Sequence, residues 1–301
     1  MLSACGINST IVADMQYPYK CRRTETDKWL VPVVSKVQQR YAFPALLLTI
    51  VIWGYNWVPM KIGLDYASPL KYTAMRIAAG TCMLFVMLAV LRKPLGPPRD
   101  RTFLLLGLFQ TAANMGFSTL ALAYGDISRA SILLFTMPLW AMIFARIWLA
   151  EPIGLRRWIA GGIAALGMGI VLADAAASQR TLIGAIFAIC AGASWAIGVV
   201  IARRALRSGR DVLSTVAWQQ LAGSVPLIVV ALVAHEQPVA WSGTFIGVLA
   251  FTSFIGSGLS WYLWGVAVSA ISASTVALAT LAIPIIASLS AFLLWLEFLG
   301  S

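Results

Sequence analysis

The chain has 301 residues, 60% of them hydrophobic and 11% charged, with a mean hydropathy of +0.85. A soluble domain carries about 25% charged residues and could not bury this much apolar surface, so composition excludes a soluble enzyme or binding module and points to a polytopic membrane protein. The net charge of +11 does not indicate a nucleic-acid partner, because the basic residues sit in short segments between apolar runs, where they set membrane topology.

Residues 1–41 form a polar arm with "YKCRRTETDK" (19–28) at its centre. No apolar core of a cleavable signal peptide is present in it, and a cytoplasmic arm is expected. A membrane-crossing helix needs about 20 mostly apolar residues. Runs that meet this lie at 42–63, 69–91, 102–123, 128–149, 155–173, 181–202, 212–234, 243–267 and 272–296. The breakers "LRKPLGPPRDR" (91–101), "AEPIG" (150–154) and "HEQPVAW" (235–241) separate several of them. The connections are short, so neighbours should be antiparallel.

With the N-terminus inside, the inner segments hold sixteen Lys and Arg, among them Arg92, Lys93, Arg156, Arg157, Arg203 and Arg204. The outer segments hold four: Lys61, Lys71, Arg129 and Arg180. That asymmetry places the N-terminus in the cytoplasm, and nine helices then leave the C-terminus outside. Cys5, Cys21, Cys82 and Cys190 show no paired spacing, so neither a metal site nor a disulfide framework is expected.

The two halves align in register. Trp53 and Lys61 match Trp195 and Arg203 at an offset of 142. At 143, Arg76 pairs with Gln219, Gly80 with Gly223, Gln110 with Ser253 and Asn114 with Ser257. At 146, Pro138, Glu151 and Gly154 match Pro284, Glu297 and Gly300. The repeat unit contains five helices. Five is odd, so the second copy enters from the opposite side of the membrane, the inverted construction of many secondary transporters. The expected fold is an all-α polytopic membrane protein of two inverted five-helix repeats. The first spans 42–174 and the second 175–301, which holds four helices.

The stretches "WGYNW" (53–57), "SPLKYTAMRIAAG" (68–80), "LALAYGDISRAS" (120–131) and "PLWAMIFARIWLAEPIGLRRWIAGGIAALGMGIVL" (138–172) carry a resemblance. Their echoes are "AGASWAIGVVIARR" (191–204) and "IPIIASLSAFLLWLE" (283–297). Over residues 42–301 the chain resembles EamA-type members of the drug/metabolite transporter superfamily. The resemblance implies ten helices with both ends cytoplasmic, a cavity between the halves, and movement of small metabolites, often outward. The chain departs from that pattern in its long polar arm. It also lacks a tenth helix matching Leu155–Asp174, so the second half is expected to be truncated.

An ionisable side chain inside the hydrocarbon is costly, about 2.5–3.5 kcal/mol for a central Arg. Arg76 lies two turns into the second run, about 10 Å from its outer end at 1.5 Å per residue. Its guanidinium suits a carboxylate, against the alternative of snorkelling to the interface; Arg146, near a helix end, is expected to snorkel. Gln110 and Asn114 are four apart and should share a helix face, repeated by Ser253 and Ser257. Such a stripe faces protein or water, as interhelical glue or as a cavity wall. Asn56 between Trp53 and Trp57, with Trp140, Trp195, Trp261, Gln219 and Gln220, completes the candidate substrate cavity. Pro138 and Pro284 interrupt matched helices and are candidate hinges. Glu151 and Glu297 are candidate helix-end or gating acids.

All eleven acids fall in the arm, in connections or at helix ends, and the single histidine, His235, is in a connection. Proton relays use buried Asp, Glu or His, so uniport or exchange is expected rather than proton coupling. No G-x-x-x-x-G-K-[ST] sequence is present, and no set of nucleophile, base and oxyanion donors can be named. No cofactor is expected. The leading reading is therefore an inner-membrane transporter of small organic metabolites, amino acids or related compounds, working by alternating access. Its expected partners are the lipid bilayer and its substrate; the oligomeric state is left open. The rival is a non-transporting membrane sensor or assembly protein on the same fold.

Overall fold

A computed structural model describes residues 36–98, 101–149, 154–205, 211–234, 236–271, 276 and 279–300. All regular structure among them is helical. The first half comprises α1 (Lys36–Gly63), α2 (Pro69–Val90), α3 (Thr102–Tyr124), α4 (Ile127–Leu134), α5 (Met137–Leu149) and α6 (Leu155–Ala175). The second comprises α7 (Gln179–Ala205), α8 (Val212–Val233), α9 (Gly243–Ala270) and α10 (Ala282–Gly300). The expected spans fall on these helices, with the fourth divided between α4 and α5 and the ninth meeting α10 only from Ala282 onward. Among the described residues, seven helices are long and apolar enough to cross a membrane. The polar arm at 1–35 lies outside the described residues.

Local sequence explains where helices start and stop. Asp126, Asp211 and Ser242 each accept a hydrogen bond from a backbone N–H one turn on, at Arg129, Ser214 and Phe245. Side-chain acceptors of this kind satisfy the orphan donors of a first turn. α2 begins with Pro69 after Ser68, and its first free N–H groups are taken from elsewhere in the chain. The Glu236 carboxylate, in the α8–α9 connection, accepts from Leu70 N at 3.0 Å and Lys71 N at 2.7 Å. α2 ends where Arg92 adopts a left-handed φ of 51°. There Lys93 N bonds Leu88 O and Arg92 N bonds Ala89 O, the pairing of a Schellman stop.

In water the buried face of a helix is its apolar face. Here both faces are apolar, and the buried one is marked by small and polar residues. On α2 the buried set includes Thr73, Arg76, Gly80 and Thr81, while Val86 and Val90 point outward, Val90 at 74% exposure. α6 is the least embedded helix, with Leu155, Ile163, Leu166 and Ile170 all exposed.

The halves interlock rather than stand side by side. α1 packs on α9 and α10, and α7 packs on α3 and on α4–α5. α2 packs against the middle of α9, α8 against the middle of α3, and α2 against α8. Exchanging the halves maps this pattern onto itself. The exchange recurs at two matched glycines, each against a backbone carbonyl of the other half's third helix, one turn apart in register: a Cβ on Gly80 would lie 2.7 Å from Ser253 O, and one on Gly223 would lie 2.5 Å from Gly107 O. Both contacts are with backbone, so these matched positions require glycine for helices to approach.

Both receiving helices carry an irregularity. α3 over Gly107–Ala113 and α9 over Phe251–Leu259 widen to i→i+5 hydrogen bonding. The matched offset of 143 overlays these stretches.

Candidate functional site

A cavity of about 80 Å³ opens among the middles of the helices. Its polar lining consists of Asn56 from α1, Arg76 from α2, and Asn114 and Ser118 from α3. Trp53, Trp57 and Met60 (α1), Met115 (α3), Trp195 (α7) and Trp261 (α9) supply much of the apolar wall. Leu134 and Phe135 at the α4–α5 break, Gly256 of α9 and Ile283 of α10 complete it.

The tryptophans form one cluster. Trp53 lies 5.7 Å from both Trp195 and Trp261 between ring centroids, and Trp195 lies 5.4 Å from Trp261. Trp264 joins from behind, 5.2 Å from Trp53. These edge-to-face and tilted arrangements are favoured by the ring quadrupoles. Trp53 Nε1 donates to Ser260 Oγ at 2.8 Å, which fixes the ring between α1 and α9.

Arg76 is 1% exposed. Its Nη1 donates to Ser257 Oγ at 3.1 Å and its Nη2 to Thr119 Oγ1 at 3.5 Å, while Nε has no partner. Every partner is neutral. Nearby, the Tyr72 hydroxyl donates to Thr252 Oγ1 at 3.0 Å, a further tie between α2 and α9. Arg76 thus points into the protein, and snorkelling is not its arrangement. Arg146 is exposed at the last turn of α5.

Of the expected cavity residues, Trp53, Asn56, Trp57, Arg76, Asn114, Trp195 and Trp261 line it. Gln110, Trp140, Gln219, Gln220, Ser253 and Ser257 do not line it. Gln110 accepts from Gln219 Nε2 at 3.3 Å, between α3 and α8, and packs against Gly198 of α7. Gln220 Nε2 donates to Ser257 O at 3.0 Å. Ser253 is buried against Gly80, Ser257 is the partner of Arg76, and Trp140 stacks on Phe144. Gln110 and Asn114 share a face, as expected: Gln110 packs on Gly198 of α7 and Asn114 Nδ2 donates to Ala191 O of the same helix at 2.9 Å. They differ in depth along α3, and only Asn114 also reaches the cavity.

Pro138 and Pro284 stand where the expected fourth and ninth spans are interrupted, each in the first turn that follows the break. Pro138 is the second residue of α5 after the Phe135–Thr136 turn, and Pro284 is the third of α10 after a turn at Leu281. A first turn is where the missing N–H costs least. Phe135 and Ile283, beside the two prolines, both reach the cavity. Glu151 lies outside the described residues, as does the side chain of Glu297. Sequence reasoning missed Met60 and Ser118, although each lies four residues beyond a chosen residue, Asn56 and Asn114, on a regular helical turn. Thr119, which meets Arg76 across helices, had no such signal.

The other ion-paired or hydrogen-bonded charges among the described residues lie at the two ends of the bundle. At one end Arg129 pairs with Asp174 at 2.7 Å and Asp126 at 3.6 Å, and Lys61 Nζ donates to Leu122 O at 2.8 Å and Gly125 O at 3.0 Å. Lys71 Nζ donates to Glu236 O there as well. At the other end Lys93 pairs with Asp211. No group of His, Cys, Asp or Glu among the described residues could hold a metal ion.

The chain is similar to known transporters over most of its length. Against the uncharacterized transporter YoaV of Bacillus subtilis (strain 168) it is 25% identical over 252 residues, 82% of this chain and 85% of that one. Against a probable amino-acid metabolite efflux pump of Escherichia coli (strain K12) it is 25% identical over 275 residues, 85% and 89% of the two chains. A solved crystal structure superposes with a TM-score of 0.61 at 17% identity, covering 83% of this chain and 87% of the other, a likeness of fold. The EamA-like transporter family matches residues 41–173 and again residues 182–301. The apolar spanning helices, the two-fold repeat and these matches together make the chain a multi-pass membrane transporter that belongs to the EamA-like transporter family.

Proposed function

We propose that the protein exports small organic metabolites, amino acids and related compounds among them, across the inner membrane by alternating access. The observation that carries this reading is the cavity itself. It lies where α1, α2, α3, α7 and α9 meet, and both halves of the repeat contribute its tryptophans. The probable amino-acid metabolite efflux pump among the relatives supports the substrate class. Arg203 and Arg204 on one side, against Lys71 and Arg180 on the other, support a cytoplasmic N-terminus.

At about 80 Å³ the cavity is well below the roughly 300–1,000 Å³ of sites that enclose a drug-sized ligand. Passage of a metabolite therefore needs its walls to part. The α4–α5 break and the turn before α10 border the cavity and are the proposed pivots, beside Pro138 and Pro284. The acids among the described residues lie at helix ends and in connections, which favours uniport or exchange over a proton relay.

The test is a metabolite profile of the medium from cells over-expressing the full chain, against empty vector and against a chain carrying Arg76→Gln with Asn114→Leu. One or more metabolites should accumulate outside with the wild-type chain, and not with the double variant. Identical profiles for wild type and vector would favour the sensor or assembly reading.

A further inference from the structure

Two matched residues, one from each half, tie opposite ends of the bundle. α2 (Pro69–Val90) and α8 (Val212–Val233) start and stop in register, 143 residues apart at both ends. Three residues beyond those ends stand Lys93 and Glu236, again 143 apart. Each reaches across to the start of the other half's second helix.

At the end that carries Arg129 and Asp174, Ser68 precedes α2 without a side-chain cap. Glu236 caps the helix instead, accepting from Leu70 N at 3.0 Å and Lys71 N at 2.7 Å. A carboxylate is favoured at a helix N-terminus. In return, Lys71 Nζ donates to Glu236 O and Gln237 O. The same connection leads into α9, and its Ala240 N donates to Tyr66 O at 2.8 Å. Phe245, in the first turn of α9, packs on Tyr66 and Tyr72 at 5.9 and 6.1 Å between ring centroids. Glu236 thus closes the seam between α2 and α9.

At the opposite end the roles are exchanged. Asp211, matched with Ser68, caps α8 by accepting from Ser214 N at 2.9 Å. Lys93, in the connection that leads into α3, pairs with the Asp211 carboxylate. Phe103, in the first turn of α3, packs on Trp218 of α8 at 5.8 Å. Lys93 thus closes the seam between α3 and α8. Each seam joins one half's second helix to the other half's third. Each is also pinned further along by a glycine against backbone, Gly80 on Ser253 O and Gly223 on Gly107 O. A pinned seam opens at its tied end only when that tie releases. Of the four helices, α2, α3 and α9 line the cavity.

We infer that Glu236 and Lys93 are reciprocal latches. Release of Glu236 from α2 opens the cavity at the Arg129–Asp174 end, and release of Lys93 from Asp211 opens it at the other. The inference rests on the transport reading above and adds which contacts hold each face shut. The latches differ in chemistry and so in strength. Lys93 and Asp211 form a partly exposed ion pair, and such pairs shift an equilibrium by up to about fivefold. Glu236 makes two charge-assisted bonds to backbone, each roughly twice as strong as a neutral one, and its loss should shift the equilibrium about tenfold.

A cysteine in the cavity tests this in membranes. Ser118→Cys is placed in the full chain freed of its other cysteines, and its rate of reaction with 2-sulfonatoethyl methanethiosulfonate is measured. The reagent is small and membrane-impermeant, and it is applied to intact cells and to inside-out vesicles. A separate chain with Ala177→Cys assigns the face on which Glu236 lies. Glu236→Ala should raise the rate about tenfold from the Ala177 face and not from the other. Lys93→Gln should raise it two- to fivefold from the opposite face only, and Lys93→Arg, which keeps the pair, should return it to the starting rate. If Glu236→Ala does not fold, Glu236→Gln, which keeps one acceptor, should give a smaller rise on the same face.

Unchanged rates overturn the inference. So does a rise from both faces alike, which is what loss of a static brace between α2 and α8 would give. Metabolite export by the same cells separates this from the wider reading. Face-selective rates without export would leave the latches standing and refute transport. Export with unchanged rates would leave transport standing and refute the latches.

Discussion

Replacing Gly80 by alanine tests the interlocked packing at its tightest point. The new Cβ would lie 2.7 Å from Ser253 O, about 0.6 Å inside the roughly 3.3 Å at which C–H···O contacts settle. The obstacle is backbone, so no rotamer change relieves it, and α2 must move away from α9. Overpacking of this kind costs about 1–3 kcal/mol, roughly a 5- to 150-fold change in an equilibrium constant. One turn away the same two helices share the 3.1 Å bond from Arg76 to Ser257, which the displacement would lengthen. Gly162 of α6 is the control, because a Cβ there meets nothing within 4 Å. Thermal unfolding of the purified variants should show Gly80→Ala clearly destabilised and Gly162→Ala at or above wild type. Export by cells carrying Gly80→Ala should fall as well. Equal unfolding temperatures for wild type and Gly80→Ala would refute the close approach of α2 to the wide stretch of α9.

Trp261, 2% exposed against Trp53 and Trp195, should cost about 3–5 kcal/mol when replaced by Ala and distinctly less when replaced by Phe; thermal unfolding of the two variants checks the difference. Removing the Glu236 carboxylate with Glu236→Ala leaves Leu70 N and Lys71 N without their acceptor. It should lower stability by about 0.5–2 kcal/mol, and Glu236→Gln, which keeps an oxygen, should lower it less by the same measurement. For topology, single cysteines are placed in a chain otherwise free of them. Ala177→Cys should react with a membrane-impermeant maleimide in intact cells, and Gly96→Cys only after permeabilisation; the reverse labelling would invert the proposed orientation.

Much of the site was legible because buried polar residues in a membrane helix are few and costly. Arg76, Asn56 and Asn114 stand out from an apolar background by composition alone, and the structure lines the cavity with all three. Gln110 and Ser253 stand out equally, yet they serve contacts between helices. What separates the two groups is depth along the helices, since Gln110 and Asn114 both meet α7 and Ser253 and Ser257 both meet Gly80. The wide stretches in α3 and α9 lie where α8 and α2 pack against them. A regular helical wheel cannot anticipate them.

Sequence alone determined that the chain spans a membrane many times, because 60% hydrophobic residues in runs of about 20 admit no soluble alternative. It also determined the doubling, because polar positions recurring at 142 to 146 residues survive where apolar residues are interchangeable. Only the tertiary structure decided which half each helix packs against, and so which polar atoms find partners. Gly80 and Gly223 bring α2 and α8 onto the other half's third helix. That interlocking leaves Arg76 among hydroxyls and Asn56 against Gly256. The surroundings of these two side chains are set by Thr119, Ser257 and Gly256, brought in from other helices, which no local pattern encodes.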